Sequence, residues 1–243
     1  MRGLTLLLIA AVPLTAAAAY ERDRGPGLPA QRQGNTLVYQ ARDFDGVALD
    51  GAANVDVRTG SGWSVRAEGP AAAFANFRVE RKGRDLIVGQ RYEGRRSDPL
   101  ERQITVHVTM PAVAKLSLGG SGRLLVDRVS GNALEANLGG SGNIDVNDLR
   151  VRTAEINLGG SGSVHAAGAV ERLEANLGGS GNIAAPNLRA ARASVSMAGS
   201  GSIRATVAGN ADVSMVGSGS VDLGPQSRCD VSKMGSGKVR CGG

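Results

Sequence analysis

The chain has 243 residues, 36 of them glycine, and a formal net charge of +6. Its few aromatic residues all lie at or before Tyr92, so the remainder offers no ring on which a base or a sugar could stack. Basic residues are dispersed among acidic ones, which describes a solvated surface and excludes the basic stripe of a nucleic-acid-binding protein.

Met1-Arg2, an apolar run over 4–14 and Ala17-Ala18-Ala19 before Tyr20 read as a cleaved signal peptide, residues 1–19. The run is too short to remain as a membrane span, so no transmembrane anchor is expected. No cysteine follows it that could carry a lipid. The expected location is either the periplasm or, after secretion, the cell surface or medium. Residues 20–36 lack periodicity and hold Gly25, Pro26, Gly27 and Pro29, a composition that reads as a flexible leader.

Residues 37–113 read as a β-rich N-terminal part. Strand-like runs occur at 37–40, 47–49, 55–57, 63–67, 86–90 and 104–110, with a short helix suggested over 70–77 and a charged loop over 92–101. Gly60-Ser61-Gly62 looks like a member of the repeat that follows, but Val55 and Val57 stand five and three residues before Gly60. The regular copies place apolar residues six, four and two before that glycine, and a one-residue slip would turn both valines outward. The segment is therefore expected to be irregular. Its Phe44, Trp63, Phe74 and Phe77 are expected to cover the open end of the stack, since uncovered sheet edges recruit other chains.

From 114 to 243 one unit repeats. Gly-Ser-Gly recurs with serines at Ser121, Ser141, Ser161, Ser180, Ser200, Ser218 and Ser236, at spacings of 20, 20, 19, 20, 18 and 18. Such a fixed period signals a stacked architecture. Before each arc, apolar and polar residues alternate, as in Leu134-Glu135-Ala136-Asn137-Leu138, Ala154-Glu155-Ile156-Asn157-Leu158 and Leu173-Glu174-Ala175-Asn176-Leu177. After it, Ile144 and Val146 or Ile203 and Ala205 alternate likewise, so each copy is strand, glycine arc, strand and return. One copy buries too few side chains to offset the entropy of ordering its backbone, so neighbours must stack on it. The predicted fold is all-β: a parallel β-solenoid with 18–20-residue rungs, a right-handed coil being favoured by the crossover rule, carrying an irregular N-terminal β-rich cap.

In the last rung Lys233 replaces the Leu or Met of earlier copies, and Lys238 and Arg240 follow. Charge at a terminal edge discourages further stacking. Cys229 and Cys241 fall by register in the inward columns of Ala211 and Leu223. An even cysteine count in an exported chain predicts a disulfide that locks this rung; the spacing is not that of a Cys-X-X-Cys redox pair.

Stacking also aligns outward residues. Glu135, Glu155 and Glu174, then Asp212 and Asp230, form an acidic column interrupted by Ser194. Beside it run Ser117, Asn137, Asn157, Asn176, Ser196, Ser214 and Ser232, which can hydrogen-bond along the stack. The acidic column could bind a divalent cation or simply be solvated; like charges about 5 Å apart in water repel by only about 0.8 kcal/mol, so no ion is required. His107 and His165 are the only histidines and form no catalytic or metal-binding set. The arc serines repeat seven times without a base, which marks turn residues and not nucleophiles. No catalytic residue, cofactor or metal is expected.

The series Leu-Gly-Gly-Ser-Gly, Asp43-Phe44-Asp45-Gly46-Val47, Ile104-Thr105-Val106 leading to Met110-Pro111, and the closing Met234-Gly235-Ser236-Gly237-Lys238-Val239 resemble the putative autotransporter adhesin, head GIN domain family over roughly residues 40–243. The resemblance implies a secreted or periplasmic β-solenoid without established catalytic residues. The chain shows no membrane-barrel pattern at its C-terminus, so "adhesin" is here an analogy of shape. The expected role is a non-catalytic, exported, adhesin-like structural or interaction protein of the bacterial cell envelope, meeting an envelope or surface polymer or protein. Glu135, Asn137, Glu155, Asn157, Glu174 and Asn176 are its candidate interaction face. The alternative is a glycan-binding or polysaccharide-processing β-helix protein, although the rungs carry no insertions to wall a groove. A third reading is self-association through an imperfectly capped end.

Overall fold

The computed structural model describes residues 27–90 and 99–242. The expected signal peptide, the first part of the leader and most of the charged loop lie outside these residues.

The alternation of apolar residues sets the shape of each coil. Leu134, Ala136 and Leu138 face inward, then Ile144 and Val146, then Leu149 and Val151, all at most 6% exposed. Alternation breaks at Gly139-Gly140-Ser141 of the arc, at Asn147-Asp148 and at Arg152-Thr153, where successive residues leave the core. A period of two keeps a strand on one face; two successive outward residues mark a change of face. Each coil therefore has three faces and three corners around a thin aliphatic interior. The return is itself a third strand-like face, where the repeat pattern suggests a plain connection.

In chain order, β1 (Ala30–Gln33) and β2 (Thr36–Tyr39) form an antiparallel hairpin, so the leader segment ends in a strand. β3 (Gly46–Gly51) and β4 (Asn54–Thr59) follow, and β5 (Ser64–Glu68) runs antiparallel to β2. A 3₁₀ turn at Ala71–Phe74 replaces the helix suggested over 70–77. Phe77 already opens β6 (Phe77–Lys82), which leaves too few residues to nucleate an α-helix. β7 (Asp85–Gln90) is antiparallel to β6. After a second 3₁₀ turn at Pro99–Gln103, β8 (Thr105–Met110) pairs antiparallel with β5, and β9 (Lys115–Gly120) opens the regular stack.

The N-terminal part is more regular than its sequence suggests. β3 pairs in parallel with β7 on one side and β9 on the other, aligning Gly51 with Gly120. β4 lies in parallel with β8 and with the start of β10 (Arg123–Gly140), aligning Val55 with Leu124 and Val57 with Val126. Residues 47–57 therefore stack in register with the regular coils on the two faces that flank the arc, with Ala52-Ala53 in place of Ser-Gly. Ser121 and Gly122 donate to the Gly51 carbonyl just as Ser141 and Gly142 donate to that of Gly120. Val55 and Val57 are buried. Gly60-Ser61-Gly62 is not a copy, as its register implies; the copy lies about ten residues earlier. β7 and β8 extend the same faces one level further, and antiparallel β6 and β5 then cover the end. Phe44, Phe74 and Phe77 are buried there, Phe74 and Phe77 packing edge to face at 5.7 Å. Trp63 does not share that role: it is 39% exposed, its Nε1 donating to the Phe44 carbonyl at 3.3 Å.

β10, β11 (Asn143–Gly160), β12 (Ser163–Gly179) and β13 (Asn182–Gly199) each wrap from one arc to the next and pair in parallel with their neighbours. β14 (Ser202–Val207), β15 (Asn210–Gly217) and β16 (Ser220–Asp222) continue the same faces. Leu138 aligns with Leu158, Leu158 with Leu177, and Leu177 with Met197. The register shifts that accommodate rungs of unequal length fall between Val146 and Leu149, between His165 and Gly168, and between Ala185 and Arg189. All are at the second corner, so the columns flanking the arc stay unbroken.

β17 (Arg228–Met234) pairs with β15 and β18 (Lys238–Arg240) with β16, and among the described residues no strand lies beyond them. Lys233, aligned with Met215, turns its ammonium to the Gly237 carbonyl at 2.9 Å across the open end. The Cys229–Cys241 disulfide joins β17 to the residue following β18, with Cα atoms 6.2 Å apart. Val231 and Met234 remain 42% and 66% exposed.

Candidate functional site

The acidic and asparagine columns occupy the face that precedes the arc. Glu135, Glu155, Glu174, Ser194, Asp212 and Asp230 align in successive coils, headed by Lys115. Asn137, Asn157 and Asn176 align beside them. The two columns are tied together. Asn157 Nδ2 donates both to Asn137 Oδ1 of the coil before it, at 3.0 Å, and to Glu155 Oε1 of its own coil, at 2.9 Å. Asn176 donates to Asn157 at 2.9 Å, and Asn137 to Glu135 at 2.6 Å. The carboxylates of Glu135 and Glu155 are thus held by fixed amide donors, giving a ruled surface whose polar groups repeat once per coil.

The arc serines form an outer row. Ser141 and Ser161 hydroxyls are 3.2 Å apart, and Ser236 donates to Ser218 at 3.1 Å. No histidine adjoins the row. His165 faces Asp145 at 3.0 Å, which also takes Arg123 at 2.8 Å; His107 lies 3.6 Å from Asp56 and 3.9 Å from Glu68. These are outward cross-strand pairs. Among the described residues no three His, Cys, Asp or Glu side chains gather as a metal site.

A further cluster escapes a linear reading. At the third corner successive residues leave the core, and their columns hold arginines. Arg172 aligns with Thr153 before it and Arg192 after it. With Arg152, Glu171 and Asn132 they line a shallow groove of about 250 Å³. Arg152 meets Glu171 at 3.7 Å. Among the described residues the Arg172 and Arg192 side chains make no ion pair or hydrogen bond. Arg150 and Arg189 each lie two residues before this corner, Arg150 bonded to Asp148 at 2.9 Å. The signal in the sequence is a count: Arg172, Arg192 and Arg228 each stand eight residues before an arc serine. Along the linear chain they look dispersed.

No helix among the described residues is long and apolar enough to cross a membrane. The family model described as "Putative auto-transporter adhesin, head GIN domain" matches residues 43–225. Among solved structures, a "putative adhesin" from Bacteroides fragilis is similar with a TM-score of 0.77 at 22% identity, covering 85% of this chain and 95% of its own. A "putative lipid binding protein" from Parabacteroides distasonis gives 0.64 at 23% identity, covering 86% of this chain and 97% of its own. A "putative adhesin" from the same species gives 0.64 at 20% identity, with 89% and 98% covered. Identities this low carry the fold alone. No functionally curated protein matches the sequence.

Proposed function

The chain belongs to the putative auto-transporter adhesin, head GIN domain family, and on that premise we propose that it is an exported, non-catalytic, adhesin-like interaction protein of the bacterial cell envelope. The observation that carries this reading is the amide-tied face: Glu135, Glu155 and Asn137, Asn157, Asn176 repeat in register over successive coils. A surface that repeats once per coil suits a partner that repeats too, such as an envelope polymer, or a protein edge of matching length. Rigid side chains lose little entropy on binding. Export is supported by the signal-like start of the sequence and by the Cys229–Cys241 bond, since disulfides persist in oxidising compartments.

A second reading, lipid binding, comes from the name given to one similar structure. Its support here is Val216 and Met234, exposed in register on the last two coils, with Val231 exposed at the open end of the stack. Cross-linking in living cells with partner identification, a glycan array and a turnover assay on bacterial polysaccharides test the proposal together. Capture of an envelope polymer or protein without turnover supports it. Catalytic turnover of a polysaccharide contradicts it.

A further inference from the structure

The arginine corner is not required by the fold. Its column holds Ala133 and Thr153 before Arg172, and Asn210 after Arg192, so the backbone accepts small or neutral residues at this position. Placing Arg172 and Arg192 on neighbouring parallel strands sets like charges side by side, which destabilises a sheet. Glu171 lies 3.7 Å from Arg152, and among the described residues no ion pair joins it to Arg172 or Arg192. Unpartnered, stacked guanidinium groups lining a groove are what an anionic ligand would neutralise, each fork matching a carboxylate in a bidentate pair.

We propose that the corner groove lined by Arg152, Arg172 and Arg192 binds a linear carboxylated polysaccharide of the uronic-acid type. The inference goes beyond the interaction-protein reading above: it places an anion site at the arginine corner, apart from the Glu135 and Asn137 face that carries that reading, and names the ligand class of this second site. Coils repeat about every 4.7–4.9 Å, so Arg172 and Arg192 present two guanidinium groups one coil apart along the groove to a carboxylate-bearing chain. Asn132 and Thr153 supply donors and acceptors for ring hydroxyls. Nucleic acid fits less well, since the corner has no aromatic ring to stack a base. A lipid surface fits less well too, since the large exposed apolar side chains are Trp63, Val216, Val231 and Met234, none of them lining this groove.

The test is titration calorimetry of the full mature chain with polygalacturonate fragments, neutral dextran, a single-stranded DNA oligomer and phosphatidylglycerol vesicles. The variant is Arg172→Thr with Arg192→Asn, using residues the column already holds; unchanged thermal melting shows it folded. Arg204→Gln, an exposed arginine on another face, is the control. Polygalacturonate should bind in a salt-sensitive manner, at least tenfold more weakly to the double variant and equally to the control. Dextran should not bind. No binding of polygalacturonate, equal binding by the double variant, or tighter arginine-dependent binding of DNA or vesicles overturns the assignment. An envelope partner captured equally by wild type and double variant would leave the interaction reading standing and remove the arginine corner from it.

Discussion

A Cβ atom on Gly140 would sit 2.5 Å from the carbonyl oxygen of Gly120 in the preceding coil. Gly140 also holds a φ of 125°, outside the range of L side chains. The neighbouring Gly139 is different: nothing lies within 4 Å of the place a Cβ would take, and Ala198, Val216 and Met234 occupy the equivalent position in later coils. Gly140→Ala should therefore destabilise by roughly 1–3 kcal/mol through strain and backbone overlap. Gly139→Ala should stay within about 0.5 kcal/mol of wild type. Chemical denaturation of the two variants measures the contrast; equal midpoints would contradict it.

Reduction of Cys229–Cys241, with a sequence separation of 12, should remove about 3 kcal/mol of stabilisation by releasing loop entropy in the unfolded chain. The loss should be local, because each coil contacts only its neighbours. Hydrogen exchange should rise in β17 and β18 and remain unchanged in β10 and β11. Thiol titration of the unreduced protein should find no reactive cysteine.

Asn157→Ala removes two donated hydrogen bonds and the one accepted from Asn176, leaving Asn137 Oδ1, Glu155 Oε1 and Asn176 Nδ2 without this partner. All three bonds are part-buried, so the expected cost is about 1–2 kcal/mol. An exposed asparagine outside the ladder, Asn147, should tolerate the same change. Parallel thermal melts compare them.

Burial pushes the Tyr39 hydroxyl from 10.0 up to about 12, outweighing the opposing charge of Arg32. The folded value lies above the unfolded one. The neutral phenol's contribution is therefore complete below about pH 10 and lost as pH rises through about 12. Denaturant midpoints should fall across that window, and Tyr39→Phe should flatten the tyrosine part of the fall.

The glycine period, the inward aliphatic columns and the paired cysteines are legible in the sequence because each obeys a strict count along the chain. Ala52-Ala53 hides the first coil: it departs from Gly-Ser-Gly, while the backbone demands glycine chiefly at Gly51, where φ is 143°. The third face is hidden by its unequal length, the register shifts falling beside Leu149, Gly168 and Arg189. Arg172 and Arg192 are 20 residues apart in sequence yet adjacent on neighbouring strands; only register converts that separation into a charged groove. Trp63 illustrates the opposite limit: a large apolar residue near a cap need not be inside it.

Methyl NOE spectroscopy on leucine-labelled protein tests the stacked core most directly. Leu138 should show cross-peaks to Leu158, and Leu158 to Leu177, as adjacent members of one buried column. Absence of both cross-peaks in the folded protein would contradict the stack and every surface built on it.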